Sequence, residues 1–202
     1  LIPSRRLLLE DVVENFDRIR RAGIANVGEL LHLTKTKPML QSLADELGLD
    51  EHYLTLLVRE IRSLRPLPIK LKDFPQTAGL LVQRLASLGI RNTTQLFDRI
   101  VSPESRLELA LRTRATIEEI DRLARLTDLS RIRWVNHIFA FVLLEAGYRS
   151  AMKVAEADYH ALYRHIKALN DEREIYKGQI GENDMKRIVD AAQLLTHEVR
   201  WP

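Results

Sequence analysis

The side chains best suited to chemistry in this 202-residue chain stand together in one stretch, RIRWVNHIFAFVLLEAG, residues 131–147. Arg131, Arg133 and His137 flank a short polar turn that also holds Asn136. Cationic and amide donors around a turn are the groups that bind phosphate oxygens. No comparable case for catalysis or metal binding emerges elsewhere. The chain has no cysteine, which excludes disulfides, thiolate zinc sites and cysteine nucleophiles. Its six histidines form no His-x-x-x-His pair, and His160 and His165, five apart, fall on different faces of a helix. The segment YKGQIGEN, 176–183, has two glycines but no GK[ST] and no preceding strand, so it reads as a turn before the last helix. Glu118, Glu119 and Asp121 read as a solvated helix face. No catalytic residue, cofactor, metal or small-molecule substrate is therefore expected.

Charge adds a restraint. The formal net charge is +3, and basic residues exceed acidic ones by one in each of 1–70, 71–130 and 131–202. There is no basic tail or basic domain, so any cationic patch has to come from local arrangement. The apolar run from Trp134 to Leu144 is shorter than the roughly 20 residues a spanning helix needs. Leu7 to Leu9 is too short for a signal-peptide core. A cytoplasmic protein with no membrane association is the expectation.

The elements that must position the turn are helices. Val12, Val13, Phe16 and Ile19 share a face, as do Leu54, Leu57, Val58 and Ile61, and further on Ile117, Ile120, Leu123 and Ala124. Alternating β-branched runs are lacking. Start and stop signals agree with this. Ser102 before Pro103, and Thr116 with Glu119, predict helix N-termini, and Asn26 with Glu29 and Asn92 with Gln95 are related patterns. Pro38 opens a helix that Gly48 can close in the left-handed conformation, and Asp50 can cap the next. Pro66, Pro68 and Pro75 interrupt helix formation. The expected organisation is an N-terminal helical unit over 1–65, a proline-containing linker over 66–73, and two further units plus a C-terminal helix over 74–202.

The units repeat. DRIRRAGIANVGELL from Asp17, QRLASLGIRNTTQLF from Gln83 and FVLLEAGYRSAMKVA from Phe141 align without gaps. Gly23, Gly89 and Gly147 coincide, and so do Asn26, Asn92 and Ser150 as caps three residues later. The shared unit is helix, glycine turn, helix, and such repeats stack to bury a common core.

FPQTAGLLVQRLASLGI, 74–90, and IRWVNHIFAFVLLEAGY, 132–148, have the form of a helix-hairpin-helix motif, and LLEDVVENFDRIRRAGI, 8–24, is a weaker copy. The order of segments from about 74 to 195 resembles a bacterial domain family of unknown function built from tandem, degenerate helix-hairpin-helix units. The matches include SRLELALRTRATIEEIDRLARLTDLSRI, the 132–148 hairpin and LNDEREIYKGQIGENDMKRIVDAAQLL. The resemblance implies an all-α, SAM-like architecture without substantial sheet, and no activity.

In helix-hairpin-helix proteins two hairpin glycines bring backbone N–H groups at a helix N-terminus against a phosphate. Here those two positions hold Glu10 and Val12, then Gln76 and Ala78, then Trp134 and Asn136. The first copy would repel phosphate through Glu10 and Asp11. The second keeps Thr77 and has Gly79 one position late. The third has Arg131, Arg133 and His137, with Asn136 tolerant of the left-handed conformation. The first hairpin is thus excluded as a binding site, and the second and third are each either a structural corner or a receptor for nucleic-acid backbone, the third the better candidate. The third copy also places Phe141 and Val142 where its sisters have Asp17, Gln83, Arg18 and Arg84. That helix is either buried on all sides or, with Trp134, a surface for a protein partner or second copy. The expected function is a non-enzymatic binding module for DNA or RNA backbone, the alternative a protein-interaction or self-association scaffold.

Overall fold

The computed structural model describes residues 3–64 and 67–201 and, among them, twelve α-helices, two short 3-10 helices and no sheet. An isolated antiparallel bridge joins Lys70 to Asn92. The fold is all-α. None of its helices is long and apolar enough to cross a membrane among the described residues. The chain divides into two compact units, Leu1–Arg65 and Pro66–Pro202.

The first unit holds a 3-10 turn over Pro3–Leu9 and helices α1 (Val12–Arg21), α2 (Val27–Leu33), α3 (Lys37–Leu47) and α4 (Glu51–Leu64). Its core gathers Ile19, Leu30, Leu43, Leu54 and Leu57. The second unit holds a 3-10 turn over Leu71–Asp73, then α5 (Gly79–Ser87), α6 (Thr93–Phe97), α7 (Pro103–Thr113) and α8 (Ile117–Leu129). It continues with α9 (His137–Glu145), α10 (Ala151–Ala155), α11 (Tyr159–Arg173) and α12 (Glu182–Gln193). Leu85, Ile120, Leu143, Ile166 and Ala192 lie in one continuous core there.

The expected linker is not free chain. Leu71 is fully buried in the second core and its N–H bonds the Arg91 carbonyl at 3.0 Å. Thr93 fixes the same stretch, its N–H bonding Ile69 O and its hydroxyl accepting from Ile69 N. The prolines stop a helix, as their chemistry requires, but apolar Ile69, Leu71 and Phe74 still carry the segment into the core.

Capping explains where each helix begins and ends. The glycine turns are superimposable in their bonding. Gly23, Gly89 and Gly147 have φ of 80°, 81° and 92°, values that only glycine adopts at little cost. The next residue's N–H reaches back to Ile19, Leu85 and Leu143 respectively, closing the left-handed helix stop. Asn26, Asn92 and Ser150 then accept from the backbone N–H three residues on. The structure extends this repeat to four helices. The third helix of each set is capped by Thr36, Ser102 or Asp158, and stops at a left-handed residue, Gly48, Arg114 or Glu174. The C-terminal helix α12 is the fourth member of the third set. The cores do not follow the repeats one to one: the first set has its own, and the second and third share one.

Candidate nucleic-acid interface at the third hairpin

The third hairpin lies between α8 and α9. Its backbone turns at Trp134, where φ is +70°, and not at Asn136. Asn136 is extended, with φ −85° and ψ 178°, and its side chain accepts from Phe139 N at 2.9 Å to cap α9. The expectation that Asn136 supplies the left-handed residue is therefore corrected. Capping requires the extended backbone, and that pushes the turn two residues back. The second hairpin behaves alike, with Gln76 at φ +56°. In both copies the left-handed residue occupies the first of the two positions where glycine is expected.

Trp134 is half exposed. The guanidinium of Arg133 lies 4.2 Å from its ring centroid, within cation–π range. Burial pushes the Arg133 guanidinium below its ordinary value, so the stack partly compensates a desolvated cation. His137 opens α9 and is partly exposed.

Arg131, although adjacent in sequence, does different work. It bonds Asp128 at 3.1 Å and the Thr196 carbonyl at 2.9 Å, approaches Glu198 at 3.7 Å, and stacks 4.3 Å from the Phe97 ring centroid. Its expected place at the open turn is corrected accordingly: it ties the end of α8 to the C-terminal segment.

Thr77 and Gly79 belong to the second hairpin and are not brought to the third by any contact. Thr77 lines a small depression with Gln76, Arg122 and Glu119. Gly79 starts α5 with ordinary φ and open space where a Cβ would stand, so no close approach requires glycine there. The nearby cation Arg122 bonds Gln76 at 3.1 Å and Glu145 at 3.2 Å, joining the second hairpin to α9.

Phe141 and Val142 are buried, Val142 completely. As surface residues for a partner they are corrected. Arg122 stacks 5.4 Å from the Phe141 centroid, and α8 packs along α9. The contrast with the sister copies has a structural reason. Arg18 donates to Gly48 O at 2.6 Å, and Arg84 donates to Arg114 O at 2.8 Å and Thr113 O at 3.0 Å, each supplying a donor to carbonyls at the C-terminal end of the third helix in its set. In the last set Asn170 instead ties down the chain just past α11, exchanging bonds with both backbone groups of Tyr176, and position 142 belongs to the core.

Two groups escaped the sequence reading. Asp128 is buried and accepts from both Arg131 and Ala151 N, joining the end of α8 to the start of α10. Arg106 is buried with Asp121 at 2.7 Å and the carbonyls of Ile100 and Arg200 at 2.9 and 3.1 Å. Neither has a local sequence signal. The histidines form no cluster: His165 bonds Tyr148 at 3.0 Å, and His160 pairs with Glu182. No group of three or more metal-ligating side chains occurs among the described residues.

A family model described as Domain of unknown function (DUF4332) matches residues 75–195. The chain belongs to this family. The matched DUF4332 region runs from the second hairpin through α12 and contains the third hairpin entire. Comparison with curated proteins gives no match, and comparison with solved structures gives none.

Proposed function

We propose that this DUF4332 protein is a non-enzymatic module that binds a nucleic-acid strand at its third hairpin. The observation that carries the reading is Trp134. A bulky side chain at φ +70° costs on the order of 1–2 kcal/mol of backbone strain. That cost is maintained at a position where the indole is half in water, so core packing alone does not account for it. An exposed ring with a guanidinium stacked beside it offers a base a surface to stack on and a phosphate a cation. The resemblance to tandem helix-hairpin-helix proteins supports the same ligand by analogy of fold.

The alternative, a protein-interaction scaffold on α9, loses two of its three residues to the core. Fluorescence anisotropy with labelled single strands and duplexes at low and moderate salt tests the proposal. Binding that weakens with salt is expected, and Arg133→Ala should flatten the salt slope by about one. Absence of binding to every strand at low salt would sink the reading.

A further inference from the structure

The C-terminal segment 196–201 has no helical structure and lies against the body of the second unit as a strap. Three arginines meet it. Arg131 donates to Thr196 O and approaches the Glu198 carboxylate. Arg106 donates to Arg200 O. Arg106 and Arg125 both stack on the Trp201 ring, with their guanidinium carbons 4.8 and 4.3 Å from its centroid. The strap thus runs antiparallel to the C-terminal half of α8. Over five residue steps it spans at most about 18 Å.

Each arginine is also anchored on a side away from the strap. Asp121 and Ile100 O hold Arg106, Arg149 O holds Arg125 at 3.1 Å, and Asp128 with the Phe97 ring holds Arg131. Lifting the strap would uncover the outward faces of three fixed guanidinium groups, with Arg106 and Arg131 still paired to Asp121 and Asp128 behind them. Carbonyl acceptors, a carboxylate and a planar ring are what the strap supplies to them. A single nucleic-acid strand supplies the same chemistry through phosphate oxygens and bases. Arg131 stands two and three residues before Arg133 and Trp134 of the third hairpin in the chain.

We infer that Arg106, Arg125 and Arg131 form a second, covered stretch of the nucleic-acid site, and that residues 196–201 occupy it as an internal mimic which an incoming strand displaces. This rests on the reading of the third hairpin. The burial that lowers Arg125 from its ordinary value fits a cation that needs a partner on that face. The matched family region ends at 195, one residue before the strap.

The test compares the whole chain with its Trp201→Ala variant for binding of a roughly 15-nucleotide single strand. A strap that is open about one part in ten lowers apparent affinity about tenfold. The variant should therefore bind about tenfold tighter, with the same salt slope, because both bound states make the same phosphate contacts. Unchanged or weaker binding by a folded variant, with the parent chain still binding, overturns the strap and leaves the hairpin standing. No binding by either chain overturns the hairpin reading, and the strap with it. If Trp201→Ala does not fold, hydrogen exchange of the parent chain decides. Faster exchange over 196–201 on adding the strand supports displacement, and unchanged or slower exchange in a chain that binds refutes it.

Discussion

Trp134 combines a backbone cost with an exposed ring, and the two can be separated. Trp134→Gly removes the left-handed strain and the stacking surface together. Thermal melting should show the variant at least as stable as the parent, by up to about 1 kcal/mol, because glycine accepts φ +70° freely. Strand binding by the same variant should fall at least tenfold. A loss of stability would mean that the indole acts mainly as core. Asn136→Ala makes the opposite separation. It removes the cap on Phe139 N and should cost about 1 kcal/mol in urea unfolding. At this scale the sequence was legible where chemistry is local. Asn26, Asn92, Ser102, Thr116 and Ser150 cap as their types and spacing dictate. It was not legible for Arg131, because its partners at 196 and 198 lie far along the chain.

At the scale of elements, the arginines at matching places in the first two sets do the same work. Arg84→Met should destabilise the second unit by about 1.5–3 kcal/mol, since two carbonyls at the end of α7 lose a charged donor. Arg18→Met should weaken the first unit in the same direction, though less, because Arg18 meets one carbonyl where Arg84 meets two. Chemical denaturation of each variant is the measurement. The glycine-aligned copies reveal the position, and a guanidinium three residues before the helix end is the readable signal. What the sequence alone could not assign was the reason for Val142. Its apolarity reflects a helix packed on α8 and α11, a tertiary fact without a local mark. Arg106→Ala should be the most damaging of the arginine changes, about 3–5 kcal/mol, because Asp121 and two carbonyls lose one buried donor.

For the whole molecule, two separate cores imply two cooperative systems. Leu54→Ala, a fully buried side chain in the first core, should lower one unfolding transition by about 2–5 kcal/mol and leave the other in place. Calorimetry that shows a single transition shifted as one would contradict independent cores. The all-α class was legible throughout from helical spacing and caps. The cores divide at the proline interruption that separates 1–65 from 74–202, whereas the packing of the second and third copies into one core has no local mark apart from the apolar change at 141 and 142.

The contact between Arg106 and Arg200 joins residues 94 apart. During synthesis at about 5–20 residues per second, roughly 5–20 s separate the appearance of those two residues. Helices α7 and α8 can form early, yet Arg106, Arg125 and Arg131 have no strap until residues 196–201 emerge. On the ribosome, itself a surface made of nucleic acid, the nascent second unit therefore presents the face of Arg106, Arg125 and Arg131 uncovered until residues 196–201 reach it.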